Sequence, residues 1–423
     1  MAVSPAEPYA ASANANITVA KAKALTVLQH NAGKAMSPRA TTAGTDAISG
    51  DAPRDLSEAM NEEIKNRYKK TTKLGEGTYA IVYKGEVVKK PGQFVAIKKI
   101  KVNAEFKDGI AMDAIREIKH LQELDHPNVI KLHAVYSSKA QNLNLVLEFL
   151  PLGDLEQMMK ARDTISYAAA DVKSWMGMAS RGLWWCHANF VLHRDIKLNN
   201  LLIGADGEVK LADFGLARSF AELYAPMTYN VITRWYRPPE LLYQARFYSG
   251  AVDVWSMGVV FAELVRRDFF MPGDTDLAQL DQIANVFGTP TEDNWPGVSK
   301  LPGYIKPSAD AAEIKRGWPQ GFWDSEFGLI GPQGIQLLRF MLTLDPRRRA
   351  TAKQVLEHPW WSAEPRPTPK QDLPNPNKTK AKAELEKRMG EDLKRRGGEI
   401  PGTTDEAGRG DKVARKLDFG SFR

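Results

Sequence analysis

The stretch HRDIKLNNLL, residues 193–202, crowds a His, an Arg, an Asp, a Lys and two Asn ahead of a pair of leucines. It is either a polar surface loop that leads into a strand or a catalytic loop whose side chains converge on one substrate. Asp195 can accept a proton from a hydroxyl group, and Lys197 can offset negative charge that develops on a phosphate. The stretch alone fits both interpretations, so the other motifs of the chain are needed to distinguish them.

A second acidic motif follows in VKLADFGLAR, residues 209–218. Asp195 and Asp213 lie 18 positions apart, with two short predicted strands between them. A β-hairpin of this kind can bring both carboxylates to one site. Asp213 and Asn200 also offer the hard oxygen ligands that Mg²⁺ prefers. The two motifs therefore predict one shared site with ligands for Mg²⁺.

Two upstream motifs fit the same site. GEGTYAIV, residues 75–82, contains glycines that let the backbone approach a phosphate closely, although alone it is more simply a hairpin turn. VAIKKI, residues 95–100, places Lys98 in mid-strand, where a lysine can simply snorkel to solvent. Glu117, on the next predicted helix, is suitably placed to hold the Lys98 ammonium. Each motif has an ordinary structural explanation, but their joint occurrence in this order indicates a single site.

The secondary-structure pattern divides the chain into a β-rich part and an α-rich part. Strand-like runs begin at Tyr68 and continue to about residue 150. One amphipathic helix, AMDAIREIKHLQEL, interrupts them, with an apolar face made of Ala111, Ile115, Ile118 and Leu121. After PLGDLEQMM the chain is mainly helical, as in DVKSWMGMASRGLWWCHAN. This pattern predicts a small β-rich lobe followed by a larger α-rich lobe.

Both ends of the chain differ in composition from the middle. The first part is rich in Ala, Ser, Thr, Asn and Gly, which predicts a mostly disordered arm with a helix across LSEAMNEEIKNRYKK. The tail opens with the Pro-rich stretch EPRPTPKQDLPNPNK and continues with basic, polar sequence. The predicted segments are an arm at 1–66, lobes at 67–150 and 151–362, and a Pro-rich, basic tail at 363–423.

Composition excludes several classes of protein. The 423 residues are 43% hydrophobic and 26% charged, which is ordinary for a globular protein. No apolar run reaches the roughly 18 residues of a membrane span, so we expect no membrane insertion. A single cysteine, Cys186, excludes an internal disulfide and a cysteine-based zinc site. The net charge of +7 is too dispersed to indicate direct nucleic-acid binding. The Ala-rich, acid-poor N-terminus lacks a secretory apolar block and leaves a transit peptide as an alternative.

Taken together, these motifs resemble those of the protein kinases from about Tyr68 to Trp361. The resemblance implies an α+β, bilobal kinase fold. The small lobe would be an antiparallel sheet with one key helix, and the larger lobe would be helical. It also implies ATP and Mg²⁺ as cofactors.

The resemblance assigns a role to each charged residue of the motifs. Asp195 would orient the substrate hydroxyl, and Lys197 would neutralise the transferring phosphoryl group. Lys98, paired with Glu117, would hold the α- and β-phosphates of ATP. The implied ligands of Mg²⁺ are Asn200 and Asp213.

The ATP site implied by the resemblance spans both lobes. Glu148 to Leu150 would form the hinge that hydrogen-bonds adenine, with Leu147 at the back of the pocket. The implied ATP-binding residues are Leu74, Gly75, Glu76, Gly77, Thr78, Tyr79, Ala80, Val82, Ala96, Lys98, Leu147, Glu148, Phe149, Leu150, Asp154 and Leu202.

The downstream motifs resemble the cyclin-dependent and MAP kinases, which phosphorylate Ser or Thr followed by Pro. The resemblance rests on TRWYRPPELLYQARFYSGAVDVWSMGVVFAELV, residues 233–265, and on the insert GDTDLAQLDQI. MAP kinases carry Thr-x-Tyr where this chain has Thr228 and Asn230, which argues against a MAP kinase. The stretch DAIREIKHLQEL resembles the helix that contacts the cyclin.

Further features resemble one branch, the kinases partnered by cyclin H. GEGTYA has Ala80 in place of the third glycine, LNNLLIGADGEVKLADFGLARSF fits the catalytic segment, and RPTPKQDLPNP resembles the later Pro-rich stretch. The implied partners are a cyclin of the H type, a RING-finger assembly factor and general transcription factor IIH. The implied substrates are Ser/Thr-Pro sites in the RNA polymerase II tail and activation loops of other cyclin-dependent kinases. A nuclear location follows from the same resemblance.

The chain departs from the family pattern in three places. Leu198 replaces the usual proline of the catalytic loop, which removes no catalytic group, and Pro238 replaces an alanine. Residues 304–334 remain unassigned.

The segment between DFG and PPE carries a predicted switch at Thr228. In the resembled kinases a phosphothreonine at this position is surrounded by three arginines, which here are Arg116, Arg194 and Arg218. A phosphate would tie the helix, the catalytic loop and the segment together. A pocket for the substrate proline is implied at Val231, Ile232 and Arg237. A structural ion pair is implied between Glu240 and Arg349.

Two alternatives differ in function. A pseudokinase scaffold would bind partners without turnover, and the intact set of charged residues disfavours it. A cell-cycle cyclin-dependent kinase is the other alternative, and Ala80 and the Pro-rich tail argue against it. The stretch KTKAKAELEKRMGEDLKRR has two basic clusters that serve either as a nuclear import signal or as a solvated helix.

Overall fold

The computed structural model describes residues 56–77, 80–101, 112–138, 142–220, 226–307 and 314–376. The arm up to residue 55, most of the predicted tail from residue 377, and the glycine-loop residues Thr78 and Tyr79 lie outside the described residues. The predictions of disorder and of an import signal fall on these segments.

The smaller lobe is a five-stranded antiparallel sheet with the strand order β1-β2-β3-β5-β4. This arrangement confirms the predicted β-rich lobe with one long helix, α2, between β3 and β4. Its elements are α1 (Leu56–Asn66), β1 (Tyr68–Glu76), β2 (Ala80–Val87), β3 (Phe94–Ile100), α2 (Met112–Glu123), β4 (Leu132–Ser138) and β5 (Asn142–Glu148).

Helix α1 covers the edge of this sheet. The Nδ2 of Asn61 donates to the carbonyl of Ser137 at 2.9 Å, and its Oδ1 accepts from the Ser137 N–H at 2.7 Å. Strand β4 is an edge strand, so these backbone groups have no partner strand on that side. Ile64 packs with Tyr68 against the sheet's own small core. The sequence predicted a helix over residues 56–70. The observed helix ends at Asn66, and residues 68–70 belong to β1.

Helix α2 is turned differently from the predicted apolar face. Ala114 and Leu121 are buried, whereas Ile115 is 43% exposed. The helix points Glu117 inward, and Ile115 lies two residues earlier and therefore about 200° around the helix. The prediction that Ile115 shares the inner face is wrong.

The larger lobe is helical, as predicted, and the predicted fold class is confirmed. Two short strand pairs, β6–β9 and β7–β8, follow the first two helices of this lobe along the chain, and β9 lies just after DFG. The elements are α3 (Leu155–Lys160), α4 (Ala169–Ala188), β6 (Val191–Leu192), β7 (Leu201–Ile203), β8 (Val209–Leu211), β9 (Arg218–Ser219), α5 (Pro239–Leu242), α6 (Ala251–Arg266), α7 (Asp276–Phe287), α8 (Gln320–Phe327), α9 (Gly331–Met341) and α10 (Ala352–Leu356).

Helix α6 is the centre of this lobe. Every residue from Ala251 to Val265 is buried, including Asp253 and Glu263. A helix that is apolar on all sides must be surrounded by other elements. Helices α4, α8 and α9 pack against α6. No helix among the described residues is both long and apolar enough to cross a membrane.

The unassigned stretch 304–334 contributes partly to this core. The Lys315 N–H donates to the Thr289 hydroxyl at 2.9 Å, and the Thr289 N–H donates to the Lys315 carbonyl at 3.0 Å. The Trp318 N–H donates to Val286 at 2.8 Å. The Trp318 and Trp323 rings pack at 5.5 Å, and Trp323 is buried. The described part of the insert therefore closes the lobe beside α7.

Candidate active site

Three charged side chains from three elements meet at the boundary between the lobes. The Nζ of Lys98, on β3, donates to both carboxylate oxygens of Glu117 at 2.8 and 3.0 Å. The same Nζ donates to Oδ1 of Asp213 at 2.8 Å. The side chain of Glu117 is 3% exposed, that of Lys98 15% and that of Asp213 48%. Asp213 is therefore the member that faces the cleft.

The charges of this cluster stabilise one another. Burial by itself would lower the pKa of Lys98, but the charges of Glu117 and Asp213 raise that pKa above its ordinary value. Partial burial would raise the pKa of Asp213, but the attraction of Lys98 lowers that pKa below its usual range. Lys98 is therefore cationic and Asp213 anionic at neutral pH.

The catalytic loop brings a second set of groups together around Asp195. The Nδ2 of Asn200 donates to Oδ2 of Asp195 at 3.0 Å and to its carbonyl at 2.8 Å. The Nζ of Lys197 lies 2.8 Å from Oδ2 of Asp195. The hydroxyl of Thr233 donates to Oδ1 of Asp195 at 3.0 Å and accepts from Lys197 at 3.1 Å. Sequence reasoning did not single out Thr233, although it opens the quoted motif TRWYRPPE.

Asp253 of helix α6 holds the backbone of the catalytic loop. Its carboxylate is fully buried and accepts from the N–H groups of His193 and Arg194 at 2.9 and 2.8 Å. His187 contacts the same carboxylate at 2.9 Å. These bonds fix a loop in which Arg194 has a φ of 61°, a conformation that non-glycine residues rarely adopt. The loop is thus anchored to the most buried helix of the protein.

The residues that would hold Mg²⁺ fit that ion. The amide nitrogen of Asn200 is used by Asp195, which leaves its oxygen as the acceptor. Lys98 contacts one oxygen of Asp213, and the carboxylate is half exposed. Mg²⁺ in kinases is held by one or two such oxygens together with phosphate oxygens. The described residues contain no group of three or more His, Cys, Asp or Glu side chains suited to a metal ion.

The predicted ATP residues line up across the sheet of the smaller lobe. Gly75 lies opposite Val82, and Val82 lies opposite Lys98. Ala96 lies opposite Leu147. On the side of the larger lobe, Leu202 of β7 is bridged to Asp154, which caps helix α3. Leu74, Glu76, Gly77 and Ala80 lie in or beside the β1–β2 hairpin. Glu148 ends β5, and Phe149 and Leu150 follow it.

The glycine-rich loop is held by lysines. Glu76 makes ion pairs with Lys101 at 2.6 Å and Lys73 at 2.5 Å, and Lys101 also donates to the Gly77 carbonyl at 2.9 Å. Hydrogen bonds from the two lysines lower the pKa of Glu76 to about 2.

The three predicted arginines have different environments. Arg194 donates to the Tyr248 hydroxyl at 3.0 Å, and that hydroxyl donates to the Thr228 carbonyl at 2.8 Å. Arg116 pairs with Asp113 at 2.9 Å on the exposed side of α2. Arg218 lies in β9, opposite Leu192. In the unphosphorylated chain, Arg194 is thus linked to the Thr228 backbone through the Tyr248 hydroxyl. Within the described residues, Arg116 and Arg218 make no hydrogen bond to it.

The segment after Thr228 forms a backbone turn that is capped by Arg237. Ile232 has a φ of 69°, a rare conformation for a β-branched residue. The Nε of Arg237 donates to the Val231 carbonyl at 2.9 Å, and its NH2 group donates to the Ile232 carbonyl at 3.1 Å. Both carbonyls are therefore occupied within the chain. The implied pair of Glu240 and Arg349 is also present, at 2.7 Å.

Comparisons with known proteins agree with this geometry. The model of the protein kinase domain matches residues 68–361. The chain is 46% identical to the Ser/Thr-protein kinase KIN28 of Saccharomyces cerevisiae over 312 residues, which cover 72% of this chain and 97% of that protein. It is 41% identical to cyclin-dependent kinase 7 of Xenopus laevis over 366 residues, covering 85% and 99%.

A solved structure is also similar. It is the CAK complex from Chaetomium thermophilum bound to ATP-gamma-S, with 58% sequence identity and a TM-score of 0.72. The match covers 76% of this chain and 99% of that chain.

Proposed function

The chain belongs to the protein kinase family, as a cyclin-dependent Ser/Thr protein kinase, and we propose that it transfers the γ-phosphate of ATP to Ser/Thr-Pro sites, the RNA polymerase II repeat above all. The observation that carries this proposal is the joint presence of two clusters: Lys98, Glu117 and Asp213 at the boundary between the lobes, and Asp195 with its partners in the catalytic loop. A pseudokinase would not need all four groups in these contacts.

The proposed roles follow from the contacts. Asp195, oriented by Asn200 and Thr233, accepts the proton of the substrate hydroxyl as the oxygen attacks phosphorus. Lys197 lies beside it and offsets charge on the transferring group. Lys98 positions the ATP phosphates. Mg²⁺, when bound by Asp213 and the oxygen of Asn200, supplies charge neutralisation on the phosphates.

The preference for proline is supported by the turn at Ile232. Since Arg237 occupies the carbonyls of Val231 and Ile232, a substrate residue that docks here finds no acceptor for its own N–H. Proline has no N–H to leave unsatisfied, whereas any other residue would bury an unpaired donor.

The test compares peptides of the repeat Tyr-Ser-Pro-Thr-Ser-Pro-Ser with the same peptides carrying Ala in place of Pro. We expect kcat/KM to fall about tenfold or more, because a buried unpaired N–H costs on the order of 1–3 kcal/mol. In Arg237→Gln the carbonyls become available and the discrimination should shrink. Equal rates on both peptides in the parent protein would reject proline-directed specificity.

We further propose the partners that the relatives suggest. The solved relative belongs to a CAK complex. The exposed position of Ile115 on α2 is compatible with a cyclin surface, and an H-type cyclin and a RING-finger assembly factor are the proposed subunits, as part of general transcription factor IIH. Copurification identifies the cyclin, and phosphorylation of a second cyclin-dependent kinase tests the additional substrate.

A nuclear location is proposed from the same relationship. Deletion of residues 377–423, which contain the basic clusters, should reduce nuclear accumulation of a tagged protein if they act as the import signal. A deletion variant that stays fully nuclear would remove this stretch as the cause.

A further inference from the structure

The chain after helix α10 crosses back over the larger lobe as a strap, defined here as residues 363–373. The Nζ of Lys173, on helix α4, donates to the carbonyls of Ala363 and Pro365 at 2.9 and 2.8 Å. Thr368 is held on both sides, because its N–H donates to Ala170 at 3.2 Å and its carbonyl accepts from Ser174 at 2.5 Å. The end of the strap is anchored by Leu373, which is buried in the main core.

The strap reaches the turn between β7 and β8. The Nζ of Lys370 lies 2.7 Å from Asp206 and 2.9 Å from Glu208. Gly207 has a φ of 84°, and a Cβ at this position would collide with the Lys370 carbonyl. This turn joins the strand that follows Asn200 to the strand that leads to Asp213. The strap therefore rests on the element that connects the two proposed ligands of Mg²⁺.

A cavity of about 560 Å³ lies between the strap and helix α4. Thr368 lines it together with three cationic residues, Lys173, Arg181 and Lys370, and a single acidic one, Glu208. Lys173 and Lys370 already have partners. Within the described part of the chain, Arg181 forms no ion pair, and its Nε has only a long hydrogen bond to Asn128 at 3.4 Å. Thr368 therefore lines a cavity in which Arg181 is a cation without an ion-pair partner among the described residues.

Thr368 is followed by Pro369 and Lys370, so the strap itself contains a Thr-Pro site. Among the described residues, the one other Ser-Pro or Thr-Pro step is Thr289–Pro290. The Thr289 hydroxyl already accepts a hydrogen bond from the Lys315 N–H at 2.9 Å. The chain therefore offers a matched control for Thr368.

We propose that Thr368 is a phosphorylation site for this kinase acting on a second copy of the chain, and that its phosphate binds Arg181 of helix α4 in the cavity and fastens the strap to that helix, and thereby also holds Lys370 over the β7–β8 turn. The proposal rests on the proposed Ser/Thr-Pro specificity. The bond between the γ-phosphorus of ATP and its bridging oxygen breaks, and a bond to the Thr368 hydroxyl oxygen forms. The hydroxyl proton passes to Asp195 of the acting copy, and ADP leaves.

The physical basis is charge. A phosphate adds roughly −1.5 to −2 charges and three acceptor oxygens, and opposite arginine it forms charge-assisted hydrogen bonds that order a segment. Most strap residues from 364 to 372 are exposed, so the strap can open locally to present Thr368 before it closes again.

The experiment mixes the active complex, cyclin included, with a tagged Asp195→Asn copy and ATP-Mg²⁺, and maps phosphate on the tagged copy by mass spectrometry. We expect phosphate at Thr368, none at Thr289, and about a tenfold loss in Pro369→Ala. A Ser-Pro peptide is assayed in parallel. If the peptide is phosphorylated and Thr368 is not, this inference is wrong; if neither is, the proposed specificity fails first.

A second measurement tests the cavity. Amide hydrogen exchange of residues 204–208 should slow about threefold or more after phosphorylation of the parent. Thr368→Ser should retain the effect, and Arg181→Gln should lose it while still becoming phosphorylated. Unchanged or faster exchange in the phosphorylated parent would overturn the role of the cavity.

Discussion

Two clusters of buried charge, Arg349 with Glu240 and Lys98 with Glu117 and Asp213, differ in how completely they are satisfied. Arg349 uses all five of its N–H groups, two on Glu240 at 2.7 and 2.9 Å and three on backbone carbonyls. Its side chain and that of Glu240 are 0% and 3% exposed. In the other cluster, Asp213 keeps one oxygen free of Lys98 and is half exposed.

The difference distinguishes a structural ion pair from a catalytic one. A saturated pair has no atom left to bind a ligand, so its energy is entirely part of the fold. The cleft cluster gives up some stabilisation and retains a carboxylate oxygen that can bind a cation. The resemblance to kinases already assigned a structural role to the first pair and a catalytic one to the second cluster, and their hydrogen-bond partners give the physical reason for that difference.

The largest expected effect is the loss of stability when the saturated pair of Arg349 and Glu240 is broken. Arg349→Met leaves Glu240 buried without its partner, and breaking such a pair costs about 3–5 kcal/mol of the free energy of unfolding. Denaturant unfolding measures this loss. The double variant Arg349→Met/Glu240→Leu should recover most of it, since no charge is then left unpaired. A single variant as stable as the parent would show that the pair is not structural.

The cleft cluster should respond in the opposite way. Asp213→Asn should lower kcat about a hundredfold or more, because it weakens transition-state electrostatics. The free energy of unfolding should change by less than about 1 kcal/mol, since the side chain is half exposed. Lys98→Met should lower turnover similarly. Near-normal turnover of either variant with cyclin bound would contradict the assignment of this site.

A third buried carboxyl, that of Glu263, sharpens the comparison because no cation among the described residues pairs with it. Burial raises the pKa of Glu263 to about 8, although the Tyr236 hydroxyl donates to it at 2.8 Å. A folded-state pKa above the unfolded value means that stability is fully present at low pH and is lost as pH rises through about 8. Glu263→Gln should remove that loss.

The expected size is on the order of 2 kcal/mol, below the upper bound of roughly 5 kcal/mol that a pKa shift from 4.5 to about 8 gives at 1.36 kcal/mol per unit. Unfolding curves at pH 5 and pH 8.5 measure it. If parent and Glu263→Gln lose stability equally between these values, Glu263 is ionised in the fold and the comparison fails at this point.

The sequence predicted both lobes, the strand and helix runs and most charged residues of the cleft, because local periodicity and short motifs carry that information. It did not predict Thr233, whose contact with Asp195 depends on how the activation segment folds back. It also missed the role of Asp253, which lies in a motif that was quoted for family resemblance only. Ile115 was misplaced because helical spacing alone does not determine which face packs inward. These errors share one cause, namely contacts between segments that are distant in sequence.

The smallest expected effect concerns Thr228 and its link to the catalytic loop through Arg194. Arg194 is held by the Leu216 carbonyl at 2.8 Å and by Tyr248, and its backbone is held by Asp253 of the buried helix. A phosphate on Thr228 would therefore bind Arg194, which is held both in the catalytic loop and against the segment after DFG.

With cyclin alone, Thr228→Ala should lower activity about tenfold or more, the loss of roughly 1.4 kcal/mol from missing charge-assisted contacts. Tyr248→Phe is the matched control, since it removes the hydroxyl that links Arg194 to the Thr228 carbonyl but leaves the phosphate acceptor in place. It should lower activity less than Thr228→Ala does in the phosphorylated complex.

Adding the assembly factor should restore much of the activity of Thr228→Ala, because a bound subunit can order the same segment without phosphate. The parent must be shown by mass spectrometry to carry the phosphate. If Thr228→Ala then matches the parent in the two-subunit complex, the activation segment is ordered by cyclin alone and Thr228 is an ordinary loop residue.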